Sequence, residues 1–467
     1  MKRPLGLQRK KAIMKRLILL LLVAGFALPL HAQPEERPKN LILMIADGCG
    51  PASITMARDY ARAVLGRKAL ALDAIQVGAV RTASASSRVT DSAAGATAYA
   101  CGIKTYNGAI AVDTTGQPVA TLLEAAKARD MAVGLVATSR ITHATPAAFA
   151  AHVPQRAMES DIAVQMLDQG IEVLLGGGWQ YFLPLSEGGR RQDGRNLLRE
   201  AEQQGYQIVR NRAALRQSLR LPVLGLFAAD HLPYEIDRDT TQIPSLAEMT
   251  RVAIELLRNN PNGFFLMVEG SRIDHAGHAN DAAAHVRDVL AYDEAVAVAL
   301  NFARQDGQTL VVSVSDHETG GLSLGRNVDG QGIYAWHPEV LARVRASYER
   351  LIPALQEAEN PEATLYALTG IDSLTATERT FLVQAGRDPA ALQVVLTELI
   401  GRRAVVGWTS NGHTAVDVNL YAYGPGSALL VGNIENDELG RRLAALMGFD
   451  LRALTEQLRQ TLVGQDR

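Results

Sequence analysis

The most regular feature of the chain is a short, uninterrupted apolar run that ends on a residue able to do chemistry. Residues 41–46 run into Asp47, residues 264–268 into Glu269, and residues 309–315 into Asp316-His317. Residues 131–137 lead into a loop that ends His143-Ala144-Thr145. Runs of this length without polar alternation predict strands buried on both faces, as in a parallel sheet. Helical patterns lie between them, at 118–129 and at 245–257, the second opened by a Ser245-x-x-Glu248 capping box. The alternation predicts an α/β fold: a doubly wound, mostly parallel central sheet with helices on both faces. In such sheets ligands gather outside the carboxyl ends of the strands, where these polar residues stand. Residues 330–405 break the rhythm, with helical patterns at 338–355, 375–385 and 389–402, and read as a mainly helical insertion or cap.

With 467 residues, 47% of them hydrophobic, the chain can bury the core of one large domain or two ordinary ones. Charge changes the picture at the start. Lys2, Arg3, Arg9, Lys10, Lys11, Lys15 and Arg16 precede any acidic residue, and an apolar run at 17–30 follows, then His31-Ala32-Gln33. That pattern predicts a secretory signal peptide over residues 1–32, with Met14 a second candidate start, and export to the periplasm or the medium. The run falls short of the about 20 apolar residues that span a bilayer, so no stable membrane span is expected after cleavage. Without those seven basic residues the net charge of −2 becomes −9. An acidic surface is a poor grip for nucleic acid, and no nucleic-acid-binding module is expected. A phosphate site must then be built locally, from metals or a well-placed Arg. Cys49 and Cys101 are too few for a disulfide framework, and the sequence leaves open whether they pair.

Ser92 stands in Thr90-Asp91-Ser92-Ala93-Ala94, at the head of an Ala-rich helical stretch. A helix N-terminus presents free N–H groups and partial positive charge, which favour an oxyanion or a phosphate. The plain alternative is that Ser92 or Asp91 is only an N-cap. No G-x-S-x-G elbow surrounds Ser92, so a serine acting here needs another activator, and a metal ion is the obvious one. Glu269, Asp274, His275 and His278 fall within ten residues, and Asp274 and His278 share one face if that stretch is helical. Asp316-His317 follows one apolar run, and His413 precedes another at 416–423. Carboxylates and imidazoles without thiols suit zinc or a similar ion in a catalytic site. Five of the nine histidines beyond residue 32 stand beside these strand ends, too many for scattered surface polarity.

On these motifs, together with Asp47-Gly48-x-Gly50, Thr142-His143-Ala144-Thr145-Pro146 and Gly412-His413-Thr414, the chain resembles the alkaline phosphatases from Asn40 to about Pro425. The resemblance implies hydrolysis of small-molecule phosphate monoesters through a phosphoserine at Ser92. It implies a first zinc on Asp274, His278 and His413, and a second on Asp47, Asp316 and His317. A third ion, usually magnesium, would sit on Asp47, Thr145 and Glu269. Arg156 would clamp the phosphate, Asp91 would hold Arg156, and a homodimer is expected. Two metals about 3.5–4 Å apart can hold the attacking and leaving oxygens together. His143 and His275 depart from some bacterial members, which have Asp and Lys there, and resemble the animal enzymes instead. The pair is expected to modulate the third site and the hold on product phosphate. The competing reading is a phosphodiesterase or sulfatase of the same superfamily. Cys49-Gly50-Pro51-Ala52-Ser53 resembles the sulfatase signature, but Ser53 stands where that motif needs Arg.

Overall fold

The computed structural model describes residues 37–217 and 220–465, so the expected signal peptide at 1–32 lies outside the described residues. Its centre is a sheet of ten strands. In chain order these are β1 (Asn40–Ile45), β2 (Gln76–Arg81), β3 (Ala132–Arg140), β4 (Val173–Gly177), β5 (Gln207–Val209), β6 (Val223–Leu226), β7 (Phe264–Glu269), β8 (Thr309–Val314), β9 (Val418–Tyr423) and β10 (Gly432–Glu435). They lie side by side as β10-β2-β9-β8-β1-β7-β3-β4-β6-β5. Every neighbouring pair is parallel except those of β9, which is antiparallel to both β2 and β8.

Alternate residues of each strand serve opposite faces, as the pleat requires. Ile42 and Met44 of β1 join the hydrophobic cluster under helices Pro51–Leu65, Leu246–Leu257 and Ala282–Asp306. Leu41, Leu43 and Ile45 join the cluster under helices Ser92–Cys101, Ala144–Ala150 and Asn436–Met447. Both faces being dry explains why the strands read as apolar runs rather than alternating ones. Cys49 belongs to the first cluster and Cys101 to the second. Both are buried free thiols on opposite sides of the sheet, so they do not pair.

Local signals set the helix boundaries. The pattern at 118–129 yields only Leu122–Lys127, because Thr121 closes a capping box with Glu124 while Pro118 bridges Val112. The Ser245–Glu248 capping box opens Leu246–Leu257 as expected. In the 330–405 region the pattern at 338–355 divides into Pro338–Arg343 and Tyr348–Glu357, since Ser347 caps the second helix. The helices here, Ala376–Ala385 and Pro389–Ala404 among them, bury Leu341, Leu351, Leu382 and Leu396 in the same cluster as β1. Among the described residues no helix is long and apolar enough to cross a membrane.

Candidate active site

Register brings the chemistry together. Ile45 pairs with both Glu269 and Val314, and Ala137 also pairs with Glu269, so four neighbouring strands share one row near their carboxyl ends. Glu269 closes β7, and Asp47 and Asp316-His317 leave β1 and β8 beside it. The loop after β3 carries His143 and Thr145 to the same edge. Because β9 runs the other way, its entry, with His413 just before it, arrives there too. Gly48 makes the close approach possible. Its φ is +70°, and a Cβ there would stand 2.7 Å from the Cα of Asp274.

Three groups of ligand-type atoms result, each within 4.8 Å: Asp274, His278 and His413; Asp47, Asp316 and His317; Asp47, His143 and Glu269. In the first, helix Arg272–Ala279 sets Asp274 and His278 one turn apart, with Nε2 3.3 Å from the carboxylate. His413 Nε2 is 3.6 Å from Asp274 and 3.1 Å from His278 Nε2. Both rings are held from behind, His278 Nδ1 on the Asn411 carbonyl at 2.6 Å and His413 Nδ1 on the Thr90 carbonyl at 2.9 Å. A carbonyl only accepts, so each Nδ1 carries a proton, and in the neutral ring each Nε2 turns its lone pair inward. Without a metal the cluster keeps a proton on His278 Nε2 against Asp274, in the place a metal cation would take.

The second group surrounds the serine. His317 Nε2 is 3.4 Å from both Asp47 and Asp316, and Ser92 Oγ lies 3.1 Å from that nitrogen and 3.5 Å from Asp47 Oδ1. In the third group His143 stands beside Asp47 and Glu269. Thr145, two residues on, is fully buried in helix Ala144–Ala150. Across these groups Asp47 Oδ2, Asp316 Oδ2, Glu269 Oε1, His143 Nδ1 and Thr145 Oγ1 are buried with no protein hydrogen-bond partner. Buried polar atoms rarely go unpartnered. Four of them are oxygens, three of carboxylates and one of a hydroxyl, and their convergence fits bound cations; His143 Nδ1 carries the ring proton, because Nε2 accepts from Arg156.

Ser92 is the first residue of helix Ser92–Cys101, and the cap is Asp91, whose Oδ1 accepts from the Ala94 N–H. The Ser92 hydroxyl is therefore not spent on capping. Asp91 Oδ2 accepts from Arg156 Nη1 at 3.0 Å and from the Gly108 N–H. Arg156 Nη2 donates to His143 Nε2 at 3.0 Å. The residue expected to clamp phosphate thus lies beside the serine, gripped by the residue expected to hold it.

The electrostatics follow from burying acids together. Burial and the charges of Asp316, Asp274 and Glu269 hold Asp47 well above the usual carboxylate range. Burial and Asp274 push Asp316 up to about 8, and burial pushes Glu269 up to about 7. Asp274 also feels burial, but the hydrogen bond from His278 and the surrounding imidazoles keep it well below the usual range. The same bond raises His278 to about 9. Burial lowers His143, His275 and His317, aided respectively by Arg156, Arg272 and His413.

A pH prediction comes from Glu269, Asp316 and His278. Each has a folded-state pKa above its unfolded value, so each contributes stability at low pH that is lost as pH rises through the folded value. The chelator-treated protein should lose several degrees of Tm as pH rises from about 6 to about 9, the range in which the folded-state values of those three groups are crossed. Bound cations should flatten that slope. A chelated protein whose Tm is level across this window would contradict the buried-acid reading.

Sequence reasoning missed four residues at this edge. His231 sits with His143 and His275 in a cluster of imidazoles, its ring centroid 5.4 and 4.3 Å from theirs. Asp230-His231 follows β6 as Asp316-His317 follows β8, and that repeated signal was available. Arg140, at the end of β3, binds Glu159, Asp230 and His231. Thr319 donates to Asp274 at 2.5 Å. Arg272 contacts His275. None of these last three carries a pattern that sets it apart in sequence.

Carboxylates and imidazoles gathered in this way around one serine place the protein in the class of metal-assisted hydrolases. The family model described as alkaline phosphatase matches residues 38–449. The repressible alkaline phosphatase of Saccharomyces cerevisiae is 40% identical, with 97% of this chain and 90% of the yeast protein covered. Alkaline phosphatase 3 of Bacillus subtilis is 39% identical over 90% of this chain and 91% of its own. The crystal structure of a cold-active alkaline phosphatase from a psychrophilic Shewanella superimposes with a TM-score of 0.80 at 36% identity, covering 87% of this chain and 99% of that one. The chain belongs to the alkaline phosphatase family, and it is a phosphomonoesterase.

Proposed function

We propose that the chain hydrolyses phosphate monoesters through a phosphoserine at Ser92, at a centre of two zinc ions and one magnesium. The observation that carries this reading is the position of Ser92 Oγ, uncapped at a helix N-terminus and within 3.5 Å of both Asp47 and His317. Asp274, His278 and His413 would hold one zinc and Asp47, Asp316 and His317 the other. Asp47, Thr145 and Glu269, with His143 beside them, would hold the third ion. When bound, these ions supply the positive charge that lowers the pKa of the serine hydroxyl and of an attacking water.

The chain's own groups account for the rest. Ser92 Oγ attacks phosphorus in line with the departing alcohol, and water later opens the phosphoserine to release phosphate and regenerate the hydroxyl. Backbone N–H groups of the first turn face the anion. Arg156 offers a planar fork for two non-bridging oxygens, a geometry a Lys cannot imitate. Asp91 serves two ends at once: Oδ1 caps the Ser92 helix while Oδ2 fixes the Arg156 guanidinium. Nucleophile and clamp therefore share one reference point. The reading extends to residues 1–32 as an export signal, residues 330–405 as a cap and a homodimeric assembly. Its test is hydrolysis of a chromogenic phosphate monoester by the mature protein. Chelator should abolish turnover, and zinc with magnesium should restore it; activity indifferent to chelator would refute the metal centre.

His143 and His275 give a second test. His275 is held neutral by burial and by Arg272, so it adds no charge to the phosphate site at alkaline pH. His275→Lys should tighten phosphate inhibition about tenfold, the ~1.4 kcal/mol that one nearby cation can supply, and slow turnover where release limits the rate. His143→Asp should shift the third site towards magnesium, since it puts a carboxylate oxygen where the ring presents only a protonated nitrogen. An unchanged phosphate inhibition constant in His275→Lys would remove the explanation for the first departure.

A further inference from the structure

Arg272 opens the helix that carries Asp274 and His278, yet only 3% of its surface is exposed. Three contacts fix its guanidinium. It lies over the Tyr234 ring, 3.8 Å from the centroid. Nη2 meets Glu349 Oε1 at 2.6 Å, and Nη1 meets His275 Nδ1 at 2.7 Å. An arginine has donors only and keeps its proton at any working pH. The direction of the last bond is therefore forced: Nδ1 of His275 accepts, and the proton of the neutral ring sits on Nε2.

This reverses the arrangement at His278 and His413, whose Nδ1 atoms donate to the Asn411 and Thr90 carbonyls. Those two rings turn lone pairs towards the centre. His275, next to the ligand Asp274, presents an N–H instead. A ring in that tautomer cannot ligate a metal through Nε2, but it can donate to an oxygen. His275 also lines a cleft of about 460 Å³ together with His231, Tyr234, Arg272, His278 and Glu349, so a ligand in this cleft lies against the ring.

We propose that Arg272 is a positioning residue that fixes His275 as an Nε2–H donor to phosphate oxygen, and that Glu349 and Tyr234 hold Arg272 for this task. The proposal rests on the phosphomonoesterase site proposed above and deepens it by separating ligand imidazoles from a donor imidazole. Glu349 belongs to helix Tyr348–Glu357, so the contact also ties the 330–405 region to the site. Glu349 is 55% exposed, so the ion pair itself is worth little and its role is geometric.

The test has two arms on the metal-loaded, full-length mature protein. The first is the nitrogen NMR signature of His275, assigned by its loss in His275→Ala. The wild type should show protonated Nε2 and bare Nδ1; Arg272→Met should lose that single form, and Arg272→Lys should partly keep it. A wild-type ring protonated on Nδ1 would overturn the proposal whatever the enzyme does. The second arm is a double-mutant cycle on the inhibition constant of inorganic phosphate. Arg272→Met should weaken phosphate about tenfold in the wild-type background and change it less than twofold in His275→Ala. Equal effects in both backgrounds would mean that Arg272 acts by its charge alone, and would also overturn the proposal. Should Arg272→Met not fold, Glu349→Gln, at an exposed site, carries the same cycle with a smaller, several-fold effect. The nitrogen signature does not depend on turnover, so a failure of this inference is distinguishable from a failure of the phosphoserine reading.

Discussion

Replacing Ser92 by Ala should lower turnover of a phosphate monoester by roughly 10⁴-fold or more, the scale seen when a covalent nucleophile is removed, with metal content and Tm nearly unchanged. The stability half of this expectation comes from the geometry. Ser92 is 1% exposed, and its hydroxyl contacts only Asp47 and His317, not the backbone of its own helix. Asp91 performs the capping, so the helix start survives the substitution. The catalytic half follows from what the substitution leaves behind: ligand groups, Arg156 and helix N-terminus without an oxygen to attack phosphorus. Rapid quenching with labelled ester should trap a phosphoserine in wild type and none in the variant. A labelled residue elsewhere in the chain would reject the assignment. Loss of metal together with activity would instead make Ser92 a structural element of the second group.

Much of this was legible because continuous apolar runs end together on one edge of the sheet. Continuous apolar runs revealed β1, β3, β7 and β8, the four strands whose ends carry Asp47, His143, Glu269 and Asp316. These strands are the middle of the sheet, where burial on both faces leaves the clearest trace. The peripheral strands β2, β5, β6 and β10 are short, interrupted by glycine or partly exposed, and gave no such run. The reversed direction of β9 was also invisible, since direction is set by partners rather than by composition. Within the site the ligand-type residues were readable from chemistry, but their supports were not. The carbonyls of Thr90 and Asn411 that set two imidazole tautomers are backbone atoms, on which side-chain identity is silent. The turn after β3 sets His143 beside Asp47 and Glu269.

His413→Ala should release about one metal ion per chain and leave the other sites filled. Its group has three protein ligands, Asp274, His278 and His413, and a three-ligand zinc site has little redundancy. The ring does more than offer one nitrogen. It stacks on His317 at 3.6 Å between centroids and ties its Nδ1 to the carbonyl of Thr90, two residues before the nucleophile. Losing it therefore removes a ligand of the first group and slackens the approach to Ser92 as well. Turnover should fall by roughly 10²-fold or more, as it does when groups supporting a metal site are removed. These two causes separate in a titration with zinc. If the lost ligand dominates, high free zinc refills the site and recovers much of the activity; if the Thr90 tether dominates, the ion returns and activity does not. Metal analysis that finds unchanged stoichiometry, together with full activity, would end the assignment of this group to the first zinc. Asn411 supplies an internal control, because its backbone carbonyl holds the His278 ring while its side chain donates to the His278 backbone carbonyl and to neither imidazole. Asn411→Ala should leave the stoichiometry intact, which ties the expected loss to the imidazole of His413 rather than to disturbance of the loop that carries it.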